Sequence, residues 1–354
     1  MDAEIQYFAY GLELKFEADV LRPYEALAQP VFLPDQIACF RTSGAGAPSM
    51  LGLRKYLGQC LSGLLYSLPS EAWQELRARR SSQGIWEERS AVVLTEKGDV
   101  IPVAFFSIAD NHKATFATPE SGYIDELQKV RCAHGLGVSW ISPASEGKDY
   151  PSEIPGLFVY GTLMRGECRY TILSDGDAVS SIQLGSVAGR LWDLGSYPGM
   201  MRANKQEERV LGEYVELCGL EARLPILDEV EDFRGWELEG SMYHRVLIAV
   251  DLGAGIQRLA WTYRLAEKPA GAKYIDSGDW RSSRGRSASF LAKLIATHCG
   301  SLTEREVALK LLPEYSHAQG LDENEALAEL LPLSSALVGG RISERMLAGK
   351  QQRF

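Results

Sequence analysis

The segment Leu227-Asp228-Glu229-Val230-Glu231-Asp232-Phe233 carries four carboxylates within five residues. A carboxylate crowded by like charges and drawn partly out of water keeps its proton to higher pH, which moves a glutamate toward the range of a general base. The same cluster would also suit a solvated helix end or turn. Upstream, the apolar run Leu157 to Tyr160 ends at Gly161. A buried strand that turns sharply at glycine exposes successive backbone N–H groups, and such a nest takes an anion, either a carboxylate or a developing oxyanion. Taken alone, Tyr160-Gly161-Thr162-Leu163 is equally an ordinary strand exit. Metal and thiol chemistry have weaker support. The five histidines (His112, His134, His244, His298 and His317) show no metal-ligand spacing. The six cysteines form no CxxC pair and read as buried or idle thiols of a reducing compartment.

Both segments need a scaffold. In the second half, Leu157 to Tyr160, Val187 to Asp193 and Val210 to Leu217 read as strands. Arg245 to Val250 and Arg258 to Arg264 read as a hairpin across Gly253 and Gly255. The first half has a short buried strand, Ile5 to Ala9, turning at Tyr10-Gly11, and a further strand at Gln59 to Tyr66. Ser90 to Thr95 and Val100 to Ser107 are apolar, β-branched arms around the turn Glu96-Lys97-Gly98-Asp99, the pattern of a β-hairpin. A helix is expected from Pro119 to His134, ending at Gly135. Between the halves, Ser142 to Pro151 is rich in Pro, Ser, Gly and charge, the composition of a linker. Each half thus opens with an apolar strand delivering Tyr-Gly and later forms a hairpin, which suggests a divergent internal duplication. The last part of the chain reads as helical: Phe290, Leu291, Leu294 and Ile295 share one face, and capping boxes stand at Ser301/Glu304 and Asp322/Glu325.

Size and composition agree with two domains. The chain has 354 residues, 45% hydrophobic and 24% charged, with a net charge of −10. No long basic run is present, which argues against nucleic acid and against docking on anionic membrane. The acidic start Met1-Asp2-Ala3-Glu4 is unlike a secretory leader, so a cytoplasmic location is expected.

Five short segments then line up. They are Phe158 to Glu167 (FVYGTLMRGE), Gly189 to Met200 (GRLWDLGSYPGM), Val210 to Leu217 (VLGEYVEL) with Leu227 to Phe233 (LDEVEDF), Met242 to Val250 (MYHRVLIAV), and Ser277 to Trp280 (SGDW). In this order they resemble the γ-glutamylcyclotransferase-like family, in its γ-glutamylamine cyclotransferase and avirulence-induced-gene branch, over about residues 155 to 285. The resemblance implies that the backbone of Tyr160, Gly161, Thr162 and Leu163 holds the α-carboxylate and amine side of a γ-glutamyl group. It implies that Glu231, the second glutamate of the LDEVE element, acts on the substrate amine. Tyr197 and Tyr243 are candidates for the pocket wall, or for core packing. Asp279-Trp280-Arg281 could line the leaving-group side, or form a structural turn.

The first half is similar to the same family in degraded form. Tyr7 to Leu14 (YFAYGLEL) resembles the family's loop, with Leu12 and Glu13 in place of Ser and Asn; Leu61 to Leu68 resembles its LYxL strand. Aligning Leu76 with the motif leucine puts Arg80 where the base should stand, and a guanidinium cannot accept a proton at working pH. This half is expected to be catalytically silent; a repurposed pocket using Glu13 or Glu87 is the alternative.

The implied fold is α+β: two tandem mixed β-barrel domains, 1–145 and 155–285, and a helical C-terminal extension, 286–354. The implied reaction is a cyclotransfer on a small-molecule γ-glutamyl amide or peptide that releases 5-oxoproline and a free amine, with Glu231 as base and then acid. It calls for no cofactor and no metal. A binding module for γ-glutamyl ligands, or a related amide-cleaving or acyl-transfer enzyme of a biosynthetic pathway, are the rival readings.

Overall fold

The computed structural model describes residues 4–42, 48–108, 116–236 and 239–283. Two five-stranded closed barrels follow one another along the chain. The first is built from β1 (Ile5–Ala9), β2 (Gln29–Thr42), β3 (Ser49–Leu68), β4 (Trp86–Leu94) and β5 (Val100–Ile108). The second uses β6 (Gly156–Val159), β7 (Val179–Ala188), β10 (Arg209–Leu217), β11 (Tyr243–Asp251) and β12 (Gln257–Leu265). Around the first barrel the order is β1-β3-β2-β4-β5, and around the second β6-β10-β7-β11-β12. Each closes by a parallel pairing of its first and last strands, Tyr7 with Ala104 and Leu157 with Trp261. Each also has a one-pair seam in the matching place, Phe32 with Leu94 and Ser186 with Asp251. The barrels therefore share one cyclic order and one sense.

The strands form where apolar residues run between turn formers, as in β6, where all four residues are buried. In the β4–β5 hairpin the Thr95 side chain pairs with Asp99 and accepts from its N–H across the turn. Three stretches differ from the sequence reading. Gln59 to Tyr66 is only the second half of β3, which runs 20 residues. Val187 to Asp193 is broken at Gly189, where the chain leaves the barrel. There β8 (Arg190–Asp193), β9 (Pro198–Met201) and β13 (Lys273–Ile275) make a separate three-stranded sheet. The stretch read as linker is not an open loop. It contains a short helix, Ile141–Ser145, and Tyr150, whose hydroxyl donates to the Ala38 carbonyl and whose ring stacks on Trp140.

Helices cover the barrels. Ser70–Ser82 follows β3 and Leu220–Val230 follows β10, so each barrel carries a helix at the same point of its order. Ser121–Ala133 seals the first barrel through Arg131, fully buried, whose guanidinium donates to the carbonyls of Tyr10, Ser62 and Gly137. The barrels also share apolar packing: Cys60 and Leu94 of the first belong to the core of the second. Among the described residues no helix is long and apolar enough to cross a membrane. The expected helical extension, 286–354, lies outside the described residues.

Candidate active site

Strand β6 delivers Tyr160 to the top of the second barrel. The Tyr160 side chain is locked there: its hydroxyl donates to the Tyr263 carbonyl (2.7 Å) and accepts from the Met200 N–H (3.2 Å). Burial pushes the phenol well above its ordinary range, so it stays neutral. What the Tyr160–Leu163 loop offers is therefore its backbone. Two loop carbonyls are already used, by the N–H groups of Met164 and Arg169, which curl the chain without consuming loop N–H groups. Gly161 is needed for space, since a Cβ there would lie 2.6 and 2.7 Å from the Pro198 ring.

The outer arm of the loop is clamped from below. Arg281 donates to Glu167 (2.9 Å), to Glu213 (3.2 Å) and to the Arg165 carbonyl (2.6 Å), while the second oxygen of Glu213 accepts from the Arg165 N–H (2.7 Å). The Asp279-Trp280-Arg281 segment is thus a structural support: Trp280 is fully buried, and Arg281 fastens the loop to β10.

Glu231 stands at the C-terminal cap of Leu220–Val230, its N–H bonded to the Leu227 carbonyl. The four acidic residues of this segment part company. Asp228 accepts from the Tyr263 hydroxyl (2.6 Å) and faces Arg245. Glu229 is exposed, and Asp232 pairs with Arg234. Only Glu231 lines the cavity. Burial raises its pKa from 4.5 to about 7, against a lowering pull from Arg169. The like-charge crowding expected from the sequence is not the cause, because the neighbouring carboxylates point elsewhere.

One cavity of about 120 Å³ joins these parts. All the sequence candidates line it: Tyr160, Gly161, Thr162, Leu163, Tyr197, Tyr243 and Glu231. The β8–β9 turn brings Tyr197 and Pro198, and the Tyr243 hydroxyl donates to the Pro198 carbonyl (2.8 Å). Burial, with Glu231 nearby, pushes the Tyr243 phenol far up. Sequence reasoning missed Arg169 and Tyr263, which also face the cavity. Arg169 follows the recognised loop by six positions, and only the curl of that loop turns it inward.

The matching loop of the first barrel is built differently. There the Glu13 carboxylate folds back and accepts from the N–H groups of Tyr10 (2.6 Å) and Gly11 (2.9 Å). Arg80 is buried, paired with Glu17 (3.4 Å) and stacked over Trp86. Glu87 lies at the surface paired with Arg89.

Against known proteins, the family described as gamma-glutamyl cyclotransferase, AIG2-like, matches residues 157–282. The gamma-L-glutamyl-butirosin B gamma-glutamyl cyclotransferase of Niallia circulans is 30% identical over 155 residues, 43% of this chain and 92% of that protein. The chain belongs to the γ-glutamyl cyclotransferase family. It is a cyclotransferase-type enzyme, and its matched region is the second barrel with the cavity. A further curated relative of this cyclotransferase, from Vibrio cholerae serotype O1, is 32% identical over 125 residues, 35% of this chain and 93% of that protein. Among solved structures, YkqA from Bacillus subtilis aligns with 83% of the chain and 97% of its own length, at 14% identity and a TM-score of 0.33.

Proposed function

We propose that the second barrel converts a γ-glutamyl amide into 5-oxoproline and a free amine, with Glu231 as general base and then general acid. The observation that carries this reading is the single cavity that sets a carboxyl with a pKa of about 7 opposite a strand-exit loop. The first barrel gives independent support for the ligand. Its matching loop holds a carboxylate, that of Glu13, on two successive N–H groups. By the same chemistry the N–H groups of Tyr160 to Leu163 take the α-carboxylate of the substrate, with Arg169 as a cation beside it.

The substrate brings its own nucleophile. Glu231 removes a proton from the α-ammonium; the freed amine attacks the γ-carbonyl carbon and closes a five-membered ring. As the tetrahedral centre collapses, Glu231 gives its proton to the leaving nitrogen and the C–N bond breaks; the second proton, left on the ring nitrogen by the attack, passes by way of Glu231 to the released amine, which departs as an ammonium. No water is consumed. Holding the chain folded supplies most of the acceleration, since a well-oriented intramolecular attack reaches very high effective molarity. The cavity is well below the ~300–1,000 Å³ of drug-sized pockets, so the γ-glutamyl group enters and the leaving amine stays at its mouth. The Niallia circulans relative is named for gamma-L-glutamyl-butirosin B; with the small cavity, a γ-glutamyl conjugate whose bulk lies on the leaving-amine side is the substrate class favoured here.

The first barrel, 1–145, is a non-catalytic companion of 155–285. Its own side chain fills the anion cradle, and Arg80 is tied up in an ion pair. The cyclotransferase reading is tested by incubation with γ-glutamyl amides. 5-Oxoproline and amine should appear one to one, and an N-acetyl-γ-glutamyl amide should resist cleavage because its α-nitrogen is no longer basic. Release of glutamate, or turnover of the acetylated compound, would make the enzyme a hydrolase instead.

Arg169 allows a second check. Its charge favours the ionised form of Glu231, so Arg169→Gln raises that pKa. The base must be ionised to work. The rising limb of kcat/KM, expected near pH 7 in the wild type, should therefore move to higher pH in the variant, with a larger KM. A limb that stays put or moves down would remove Arg169 from the site.

A further inference from the structure

The two barrels meet at a buried charge. Arg245, on β11, is 1% exposed, and its guanidinium lies 4.9 to 5.3 Å from the ring centres of Trp236, Trp261 and Phe233. Its Nη2 donates to Asp35 Oδ2 of the first barrel at 2.5 Å. Its Nη1 lies 3.2 Å from Asp228 Oδ2. The other oxygen of Asp228 accepts from the Tyr263 hydroxyl at 2.6 Å, and Tyr263 lines the cavity that holds Glu231. A polar chain, Asp35–Arg245–Asp228–Tyr263, thus runs from the first barrel to the wall of the active site, its middle link an ion pair and its outer links hydrogen bonds.

The first barrel is shaped to deliver that carboxylate. The β2–β3 register shifts between Pro34 and Gln36, so Asp35 sits at an irregularity of the ladder, with a left-handed φ of 54°. Bulges re-aim side chains, and Asp is among the few residues that tolerate this backbone. The second oxygen of Asp35 accepts from the Gly58 N–H at 2.9 Å, which fixes the carboxylate's rotation. Gly58 in turn lets β3 press against the helix that leads to Glu231: a Cβ there would lie 2.8 Å from Leu224 Cδ1. Arg245 spends its hydrogen bond on Asp35 and meets Asp228 only as an ion pair, and removing Asp35 frees the guanidinium to draw in Asp228.

We infer that Asp35 is a positioning residue for the cyclotransferase site, supplied by the non-catalytic barrel. By holding one arm of Arg245, it leaves Asp228 free to keep the Tyr263 hydroxyl and so the cavity wall in place. The first barrel is then part of the working enzyme and not a passive duplicate. Because the relay ends at the pocket, it rests on the cyclotransferase reading of that pocket. The two fail separately: E231Q tests the pocket, and a double-mutant cycle tests the relay.

Asp35→Asn is the informative change. Asparagine tolerates the left-handed backbone and its Oδ1 can still accept from Gly58, which turns its amide NH2 toward Arg245, so both the charge and the hydrogen bond on the guanidinium are lost. With a γ-glutamyl amide as substrate, D35N should lower kcat/KM about tenfold. In a Tyr263→Phe background, where the last link is already cut, D35N should change kcat/KM by less than about twofold. Tyr263→Phe alone should lower kcat/KM by a similar amount, which also decides the matter if D35N proves too unstable to purify. Circular dichroism at the assay temperature confirms that each variant is folded. An equal loss from D35N with and without Tyr263→Phe, an active D35N, or a folded Tyr263→Phe as active as the wild type would each overturn the relay.

Discussion

The E231Q variant is expected to lose about 10²–10⁴-fold in kcat, the usual cost of removing a general base. Glutamine keeps the volume and much of the hydrogen-bonding shape but can neither take nor return a proton. Glu229 lies two residues away and is exposed, so E229Q should change kcat by no more than about twofold, as for a surface charge. The pair separates proton transfer from the general electrostatics of an acidic segment. If E229Q were the inactive variant, the element would be misaligned by one acidic position; if neither changed turnover, Glu231 would not be the base.

The same substitution should affect stability in the opposite direction. In the unfolded chain a glutamate ionises near 4.5, whereas burial holds Glu231 protonated to about 7. Between those values the native state binds the extra proton, so wild-type stability falls as pH rises through this window and levels off above it. That raised pKa corresponds to a loss of up to about 3 kcal/mol, less for whatever solvent reaches the carboxyl. E231Q escapes that loss. Urea unfolding at pH 5 and pH 8 should show wild type and E231Q converging at the lower pH and E231Q the more stable at the higher. A wild type that gains on the variant as pH rises would mean that Glu231 is not held neutral by burial.

Gly161→Ala is the second large effect. The added Cβ would meet the Pro198 ring at 2.6 to 2.7 Å, and a buried proline ring on β9 cannot swing aside. The loop must move, and with it the N–H groups that the proposed mechanism sets against the substrate carboxylate. Displacement on the order of 1 Å at a reacting centre costs about 10²-fold, so kcat/KM should fall by that amount, with about 1–3 kcal/mol of overpacking. Gly122 provides the contrast: it lies in the Ser121–Ala133 helix with open space around its Cβ direction. G122A should leave activity alone and stabilise by at most about 1 kcal/mol. An active G161A would mean that the loop backbone does not hold the substrate.

How much of this was legible depends on whether a feature is local. Strand β6 and the β11–β12 hairpin could be read because apolar runs are bounded by glycine turns. The Leu220–Val230 helix was not, because Pro225 interrupts it and its acidic end looks like a turn. Strand β2 was missed for a similar reason: Pro30 and Pro34 argue against a strand, and the ladder accommodates Pro34 beside an irregularity. In the site, the Tyr160–Leu163 loop and Glu231 lie in short recognisable segments. Arg169 and Tyr263 carry no local signal, since the loop's curl and the barrel's closure bring them to the cavity. The Asp35–Arg245 pair is 210 residues apart, and no pattern within either half announces it. The folded-back Glu13 was legible only as a departure from the family's loop, not as an occupant of the cradle.

A structure of E231Q with a γ-glutamyl amide bound would test the central claim most directly, because the variant should bind substrate without consuming it. The substrate carboxylate should rest on the N–H groups of Tyr160 to Leu163 beside Arg169. Its α-nitrogen should lie within hydrogen-bonding distance of the side chain at position 231, poised over the γ-carbonyl carbon, with the leaving amine at the mouth of the cavity. A ligand seated in the first barrel, or one in the second barrel with its α-nitrogen turned away from position 231, would contradict the account.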